Sequence, residues 1–468
     1  MENQENNQNL DKETLPEMDD GFFADPSEKG VQHIPAPVQK RKSGKKAWKI
    51  VGCILLAVAI FASGALTFWF SLDKGMRKLI WIKDKIDEEY YQDISDDEFY
   101  STIYDAINND LLDPYSYYMT ADEYKASEEM LAGKKGGIGT MLLSKDASGN
   151  DQILIARVSG NSPAERAGLA EGDKIIGFGL TENAITESQV FKEFSDFLDA
   201  LELNEPFFIK VLSGGIEKTL SIAKEIYVEN YVFYRTNNSS YAFSGSNSSL
   251  WTEKGEALTA LPDQTAYIRL IQFGGNVARG FARAMEQFRQ DGKTDLILDL
   301  RGNTGGYLDL MQEIAAYFGK NAKGNSPVAV LADYGNKMVA YDARGNVYDE
   351  YFKPESRIFV LADIDTASAS ESLIGFMLDY GALSYENICL SERGGVARTY
   401  GKGIMQTTYY LDWFEKDALK LTTAEIRWPV SKTSIHGRGI LPEDGTKTVQ
   451  EAYGGDLEIN AAIVKLYS

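Results

Sequence analysis

Two short segments of this sequence carry residues whose types and spacing could support acyl transfer. Ser368 lies in TASASE, at the predicted start of a helix, where backbone N–H groups can stabilise an oxyanion. Lys402 lies in GKGIMQT, among glycines and apolar residues that could desolvate its amine, lower its pKa and let it act as a base. The segment GKGIMQTTYY is predicted to be a strand, and its alternation puts Gln406 on the same face as Lys402. The pattern is compatible with a serine nucleophile, a lysine base and a glutamine that orients the amine.

A third segment, DLRGNTGG, follows a predicted buried strand at residues 295–300. Glycines at the end of a strand expose backbone N–H groups, which can bind an oxyanion or a phosphate. The segment lacks the G-x-G-x-x-G spacing and the acidic partner of a dinucleotide site, which argues against a dehydrogenase-like enzyme.

Each of these segments also has a purely structural interpretation. Ser368 followed by Glu371 is a capping-box pattern, and Lys402 could be an ordinary surface lysine of a strand. The chain has two histidines and two cysteines, so a metal centre rich in these residues is excluded. A Ser-His-Asp triad would have to use His436, because His33 lies in the polar N-terminal tail.

The N-terminal part of the chain predicts a membrane anchor. Residues 1–46 are polar and are predicted to be a disordered cytoplasmic tail, and residues 47–72 are predicted to be a transmembrane helix. Six basic residues between Lys40 and Lys49 precede the apolar run, so the positive-inside rule puts the remainder of the chain outside the cytoplasm. A cleaved signal peptide is the alternative, and it too implies export. We therefore expect a single-pass protein of the cell membrane with an extracytoplasmic catalytic domain.

Three further regions follow the anchor. Residues 73–133 show helical periodicity, residues 134–226 a β-rich module, and residues 227–468 alternating strands and helices. The last pattern predicts an α/β domain with a partly parallel sheet. The net charge of −21 argues against nucleic acid as a partner. The helical region after the anchor is a possible homodimer element.

The β-rich module resembles a PDZ domain of the circularly permuted bacterial type. The resemblance depends on GGIG followed at the expected distance by SPAERAGLAEGDKI. In such domains a peptide adds as a strand and backbone N–H groups capture its terminal carboxylate. Gly136, Gly137, Ile138 and Gly139 match that loop, although GGIG alone is more typical of an ordinary β-turn.

Nearly everything after the anchor resembles the C-terminal processing peptidases, also called tail-specific proteases. The matching segments, in chain order, are LLDPYSYYMTADEY, YIRLIQF, LILDLRGNTGG, TASASE, GKGIMQT and IHGRGILPED. The resemblance implies a ClpP/crotonase-like catalytic domain, protein or peptide substrates bound through their C-termini, and no metal or organic cofactor.

The resemblance also implies a role for individual residues. Ser368 matches the family's nucleophile, Lys402 its general base and Gln406 the residue that positions the base. The backbone N–H groups of Gly306 and Ala369 match the oxyanion hole. His436 falls in a structural segment of the family, which implies that it is not catalytic.

Two departures from the family pattern leave an alternative open. Thr304 stands where the family usually has proline, and the segment at residues 382–400 is longer than the family's usual link between the helix and the lysine strand. Extra residues at 386–398 could displace Lys402 or cover the site as a lid. The alternative function is therefore a membrane-tethered PDZ scaffold whose peptidase domain is inactive.

Overall fold

The structure is a computed structural model that describes residues 44–146, 148–244, 251–253, 257–410, 416–453 and 456–468. The chain divides after Ser95 into two units, which are described separately. Most of the predicted disordered tail, residues 1–43, lies outside the described residues.

The described part of the first unit, residues 44–95, contains two helices, α1 (Gly44–Ser71) and α2 (Lys74–Glu89). From Trp48 to Ser71, helix α1 is long and apolar enough to cross a membrane, judged by its length and composition. Asp73 caps α2, because its carboxylate accepts hydrogen bonds from the N–H groups of Gly75 and Met76. This cap fixes the start of α2 shortly after the apolar helix α1 ends.

The second unit begins with a mostly helical region. Its elements are α3 (Asp96–Ala106), a π-helical turn (Ile107–Leu111), β1 (Tyr117–Met119) and α4 (Ala121–Leu131). Thr120 and Glu123 form a capping box at the start of α4. Strand β1 was not predicted, since helical periodicity was the signal for residues 73–133. Asp113–Pro114 ends the helical run and frees the following residues to pair with a sheet.

The β-rich module follows. Its elements are β2 (Lys134–Gly137), β3 (Thr140–Lys145), β4 (Asp151–Val158), α5 (Pro163–Ala167), β5 (Lys174–Gly179), β6 (Thr186–Glu187), α6 (Phe191–Ala200), β7 (Pro206–Ser213), β8 (Ile216–Ala223) and β9 (Glu225–Val228). The main sheet has the order β3-β4-β5-β7-β8, so β3 is an edge strand. Phe194 of α6 and Phe207 of β7 are fully buried in the core of the module. Strand β2 pairs with β9, so the predicted boundary between residues 226 and 227 falls inside β9.

The remaining elements form the α/β part of the unit. They are β10 (Asn230–Arg235), β11 (Ser240–Ser244), β12 (Trp251–Glu253), β13 (Thr265–Leu270), α7 (Val277–Gln290), β14 (Asp295–Asp299), α8 (Leu308–Ala315), β15 (Val328–Asp333), β16 (Met338–Asp342), α9 (Tyr348–Tyr351), β17 (Ile358–Ala362), α10 (Ala369–Asp379), β18 (Ile388–Glu392), β19 (Ile404–Tyr410), β20 (Ala418–Arg427), β21 (Lys447–Gln450) and α11 (Leu457–Tyr467).

The larger sheet is partly parallel, as predicted. Its order is β12-β11-β10-β13-β14-β17-β18-β21, and the five strands from β13 to β21 run parallel. Alternate residues of a strand point to opposite faces of this sheet. Leu298 belongs to the core on the face that α7 and α10 cover, whereas Ile297 belongs to the core on the face that α11 covers. Both faces are thereby buried, as expected for a parallel sheet. Adjacent strands β14 and β17 end at the same edge, so the loops that follow them are neighbours.

A smaller antiparallel sheet completes the fold. Its order is β1-β20-β15-β16, with β19 also paired to β20. Strand β1 therefore joins the sheet that carries the segment with Lys402, and Tyr117 lies opposite Lys420. This long-range pairing brings residues near 115 next to residues near 406.

The expectation that residues 386–398 are extra and could form a lid needs correction. Ile388, Cys389 and Leu390 belong to β18, a buried strand between β17 and β21. Their apolar side chains fill the core on both faces of the sheet, which excludes a lid role for this part of the segment.

Candidate active site

Ser368 lies in a strained turn between β17 and α10. Its φ is 57° and its ψ is −114°, a conformation that residues with a Cβ rarely adopt. The turn is held by Thr366, whose hydroxyl donates to Leu300 O at 2.9 Å and accepts from the N–H of Asp363 at 2.9 Å. Ser368 is the N-cap by position, but its hydroxyl makes no capping hydrogen bond. Ser368 and Glu371 nevertheless occupy the two positions of the predicted capping box.

The glycine loop after β14 packs directly against this turn. A Cβ on Gly305 would lie 2.8 Å from Ser368 Cβ, and one on Gly306 would lie 2.1 Å from Phe273 O. Both glycines also have positive φ, 97° and 137°. Asn303 fixes the loop, since its side chain accepts from the N–H of Gly305 and donates to Leu270 O, both at 3.0 Å. Space and backbone conformation together require glycine at both positions.

Lys402 and Gln406 meet, although not through regular strand alternation. Lys402 precedes β19, and the register of β19 against β20 shifts between Met405 and Gln406. Even so, Lys402 Nζ donates to Gln406 Oε1 at 2.8 Å. Burial lowers the pKa of Lys402 to about 8, with repulsion from Lys420 acting in the same direction and attraction to Asp113 opposing it. A lysine with this pKa is partly neutral near pH 7 and can accept a proton.

Tyr115 contacts both members of this pair, and it was not among the residues predicted from the sequence. Its carbonyl oxygen accepts a hydrogen bond from Gln406 Nε2, and its ring centroid lies 5.0 Å from Lys402 Nζ. Its DPYS segment was interpreted only as the end of a helix and as part of the family resemblance. The position of Tyr115 depends on the pairing of β1 with β20, a contact across about 300 residues that local pattern does not reveal.

Glu371 connects the serine turn to the lysine segment. Its buried carboxylate accepts hydrogen bonds from the N–H groups of Ser368, Gly401 and Lys402 at 3.0, 2.8 and 2.9 Å, and from the hydroxyl of Thr399. Burial raises the pKa of Glu371, while these four donors oppose the rise. Glu371 thus takes part in the predicted capping box by accepting from the N–H of Ser368, and the same carboxylate also fixes the backbone of Lys402.

A cavity of about 330 Å³ brings the predicted catalytic residues together. Ser368, Ala369, Gly306, Lys402 and Gln406 all line it. Thr304, the position that departs from the family pattern, lines the same cavity. The remaining wall mixes polar side chains, among them Glu128, Gln272 and Lys420, with the apolar side chains of Met119, Leu131, Leu308, Ile404, Met405 and Ile426. The cavity can therefore hold an apolar side chain beside a nucleophile, a base and two backbone N–H groups.

The glycine loop of the module lies elsewhere, and its residues do not line this cavity. Gly136 and Gly137 end β2, and Ile138 is buried in the module core, where its carbonyl oxygen accepts from Ala164 N–H at 2.8 Å. Gly139 has a φ of 84°, and a Cβ there would lie 2.1 Å from Ser162 Cβ. The loop leads directly into β3, whose outer edge is open in the sheet.

His436 is exposed and does not line the catalytic cavity. Its ring centroid lies 6.4 Å from that of Tyr115. Its position agrees with the expectation that His436 is not catalytic.

Comparisons with known proteins agree with this geometry. Residues 264–444 match the model of peptidase family S41. A "Probable CtpA-like serine protease" of Staphylococcus aureus (strain bovine RF122 / ET3-1) is 27% identical over 362 residues, which cover 76% of this chain and 62% of that protein. The match thus spans less than two thirds of the length of this relative.

Solved structures resemble this chain as well. An S41 protease candidate from Bacteroides fragilis NCTC 9343 has a TM-score of 0.50 and 16% identity, with coverage of 80% of this chain and 90% of that chain, and it shows the fold. The photosystem II D1 C-terminal processing protease has a TM-score of 0.43 and 23% identity, with coverage of 78% and 86%. The match to peptidase family S41 thus includes the segments with Gly306, Ser368, Lys402 and Gln406.

Proposed function

We propose that this chain is a membrane-anchored serine endopeptidase that processes protein C-termini outside the cytoplasm. The observation that carries the proposal is Lys402, a lysine with a pKa of about 8 that is bonded to Gln406 and shares one cavity with Ser368. A surface lysine would keep its pKa near 10 and would not line a cavity with a strained serine.

In the proposed mechanism, neutral Lys402 accepts the proton of Ser368 Oγ while the oxygen attacks the scissile carbonyl carbon. The N–H groups of Gly306 and Ala369 donate to the oxyanion of the tetrahedral intermediate. Protonated Lys402 then gives its proton to the leaving amine, and the peptide C–N bond breaks. A water molecule, deprotonated by Lys402, hydrolyses the acyl-enzyme and restores Ser368. Gln406 holds the amine in place throughout, and no metal or organic cofactor takes part.

The module at residues 134–226 is proposed to act as a PDZ domain that binds the substrate tail. The open edge of β3 supports this role, because a peptide can add there as a further strand. The N–H groups of Gly136, Gly137, Ile138 and Gly139 would receive the terminal carboxylate. The proposed catalytic domain, residues 227–468, is ClpP/crotonase-like, and residues 73–133 are its N-terminal extension.

The anchor and the orientation complete the proposal. Helix α1 would span the cell membrane once, with the basic residues before Ile50 on the cytoplasmic side. A cleaved signal peptide would also export the remaining chain. The inactive-scaffold alternative loses much of its support, because β18 occupies the segment that was expected to disturb Lys402.

Cleavage of a disordered test protein with an apolar C-terminus tests the function. The full-length chain in detergent should cleave it, whereas Ser368→Ala and Lys402→Ala should each lower kcat by at least about a thousandfold. Lys353→Ala is the matched control, because Lys353 is an exposed lysine that does not line the cavity. A folded wild-type chain that cleaves nothing, or a Ser368→Ala variant that cleaves normally, would contradict the proposal.

A further inference from the structure

A second cavity, of about 490 Å³, lies between the β-rich module and the parallel sheet. Met141, Arg157 and Glu171 line it from the module, and Tyr267, Arg269 and Gly302 line it from the sheet and the loop after β14. Residues of the lysine–serine cavity are absent from its lining. The catalytic mechanism proposed above leaves this cavity unused.

Five arginines line this second cavity, and three of them are neutralised by carboxylates. Arg235 pairs with Asp456 at 2.7 Å, and Arg301 pairs with Asp299 and Glu458, both at 2.6 Å. Arg393 likewise pairs with Asp365 at 2.8 Å and Glu451 at 2.5 Å. These pairs account for the charge at one end of the cavity.

The other two arginines, Arg157 and Arg269, form no ion pair with any described residue. The Nε atom of Arg269 is buried and has no hydrogen-bond partner within the described part of the chain. The contact recorded for the guanidinium of Arg157 is weak, a 3.5 Å approach of Nη2 to Met141 Sδ. A buried guanidinium donor without an acceptor is costly, and an anion is the group that removes this cost.

The pKa of Arg157 agrees with the lack of an ion-pair partner for its guanidinium. The pKa of Arg157 is lowered, first by burial and then by repulsion from Arg269, and the surrounding carboxylates do not restore it. Glu171 also faces the cavity, but burial raises its pKa although Arg269, Arg301 and Arg157 oppose the rise. The carboxylates near Arg157, Glu171 included, thus leave the pKa of Arg157 below its ordinary value.

Arg269 shares the negative charge of Asp299 with another arginine. Burial acts to lower the pKa of Arg269, but attraction to Tyr267, Asp299 and Glu171 raises it overall. Asp299 is already bonded to Arg301 through both of its carboxylate oxygens. One carboxylate thus serves two buried cations, so Arg269 can accept a further anion.

The charge and polarity of the lining side chains indicate which kind of anion would bind. Six carboxylates line the same cavity, so a dianionic phosphate would meet more repulsion than a monoanion; they belong to Glu165, Glu171, Asp363, Glu451, Asp456 and Glu458. Val158, Phe233 and Ile459 provide an apolar wall beside the arginines. A planar carboxylate on a short apolar group matches both the guanidinium forks and that wall.

We propose that this cavity is a binding site for a small monoanionic carboxylate, held by Arg157 from the module and Arg269 from the sheet. A bound carboxylate would tie the module to the sheet. The carboxylate would also lie near Gly302, because the guanidinium of Arg157 packs against this glycine: a Cβ added to Gly302 would be 2.1 Å from Arg157 Nη1. The carboxylate can belong to a free organic acid or to the C-terminus of a peptide.

Thermal unfolding of the full-length chain in detergent tests the site without measuring catalysis. N-acetyl-L-leucinate should raise Tm in a concentration-dependent manner, and neutral N-acetyl-L-leucinamide should not. Arg157→Gln should weaken the apparent affinity by about tenfold or more, and Arg157→Lys by less, because lysine keeps the charge but loses the fork. Arg344→Gln, which changes an exposed arginine, is the matched control and should bind as wild type does.

Three results of this unfolding experiment would contradict the proposal, and a competition experiment identifies the source of the carboxylate. Equal stabilisation by the amide, stabilisation by inorganic phosphate alone, or full binding by a folded Arg157→Gln variant would overturn the proposal. A tetrapeptide with a free C-terminus that competes with N-acetyl-L-leucinate would identify a peptide tail as the source of the carboxylate. Binding of the small acid without such competition would identify a free acid. The test is unaffected if Ser368 proves not to be a nucleophile.

Discussion

The carboxylate of Glu371 accepts a hydrogen bond from the backbone N–H of Lys402 at 2.9 Å. The same oxygen, Oε2, accepts from the N–H of Ser368 at 3.0 Å. One buried side chain therefore sets the separation between the backbones of the proposed nucleophile and the proposed base. The other oxygen, Oε1, binds the N–H of Gly401 and the hydroxyl of Thr399, so the carboxylate is saturated.

Glu371→Gln should destabilise the protein and slow catalysis together. The amide replaces an acceptor oxygen with an NH₂ group that faces N–H donors, which we expect to lower the free energy of unfolding by about 2–4 kcal/mol. Denaturant unfolding and kcat measure the two effects, and Glu355→Gln, at an exposed position, is the control. Unchanged stability and unchanged kcat would show that the bridge does not position the site.

The activity should depend on pH through Lys402. The pKa of Lys402 lies at about 8, below the ordinary value near 10, so the amine loses its proton as the pH rises through 8. Because the base must be neutral, kcat/KM should rise about tenfold per pH unit below pH 8 and level off above it. Steady-state assays from about pH 6 to about pH 9.5 give the profile. A flat profile, or one that falls over this range, would contradict a lysine base.

Tyr115 should keep the pKa of Lys402 low through its ring. Tyr115→Ala exposes Nζ to water, and because burial is the largest cause of the low pKa, the pKa should move up toward its ordinary value. The rise of kcat/KM with pH should then shift to higher pH. The ring also favours the protonated amine through a cation–π contact, but that smaller effect only reduces the shift.

Tyr115→Phe is the matched control for this prediction. It retains the ring over Lys402 and the backbone carbonyl that accepts from Gln406, so its pH profile should stay close to that of wild type. A Tyr115→Ala profile that coincides with that of Tyr115→Phe would mean that the ring does not exclude water from the amine.

The module should recognise a free C-terminal carboxylate. A fluorescent peptide with an apolar, free C-terminus should bind the Ser368→Ala chain, and the same peptide amidated at its C-terminus should bind at least about tenfold more weakly. Gly137→Ala should also weaken binding, because φ is 121° there and alanine strains the loop. Gly149→Ala, at another open position with positive φ, is the control and should bind as Ser368→Ala does. Equal binding of both peptides would argue against carboxylate capture.

The orientation of the anchor can be tested by introducing one cysteine at a time in a Cys53→Ser background, in which the remaining Cys389 is buried. A cysteine at Ser148, which is exposed in the turn between β3 and β4, should react with a membrane-impermeant maleimide on intact cells. A cysteine at Asn9, before the basic cluster, should react only after the cells are permeabilised. The reverse labelling pattern would invert the proposed topology.

The sequence by itself determined the main secondary-structure elements and the candidate catalytic residues, through local pattern and short motifs. The apolar run at α1, the alternation of strands and helices, and the glycine loops at 302–306 and 136–139 are visible in the sequence, because period and glycine content report local backbone preference. TASASE and GKGIMQT likewise identify Ser368, Lys402 and Gln406 as candidates, through family resemblance joined to plausible chemistry.

The tertiary structure decided what depends on contacts between distant residues. Strand β18 was overlooked although it is as long as β14 and β17, and its burial depends on β17 and β21 on either side. Tyr115 reaches Lys402 only through the pairing of β1 with β20, and Glu371 reaches Lys402 only because the chain returns beside α10. The second cavity, which five arginines line, exists only where the β-rich module meets the parallel sheet. Sequence specifies local conformation directly, whereas the burial and pairing of charged groups depend on which remote segments the fold brings together.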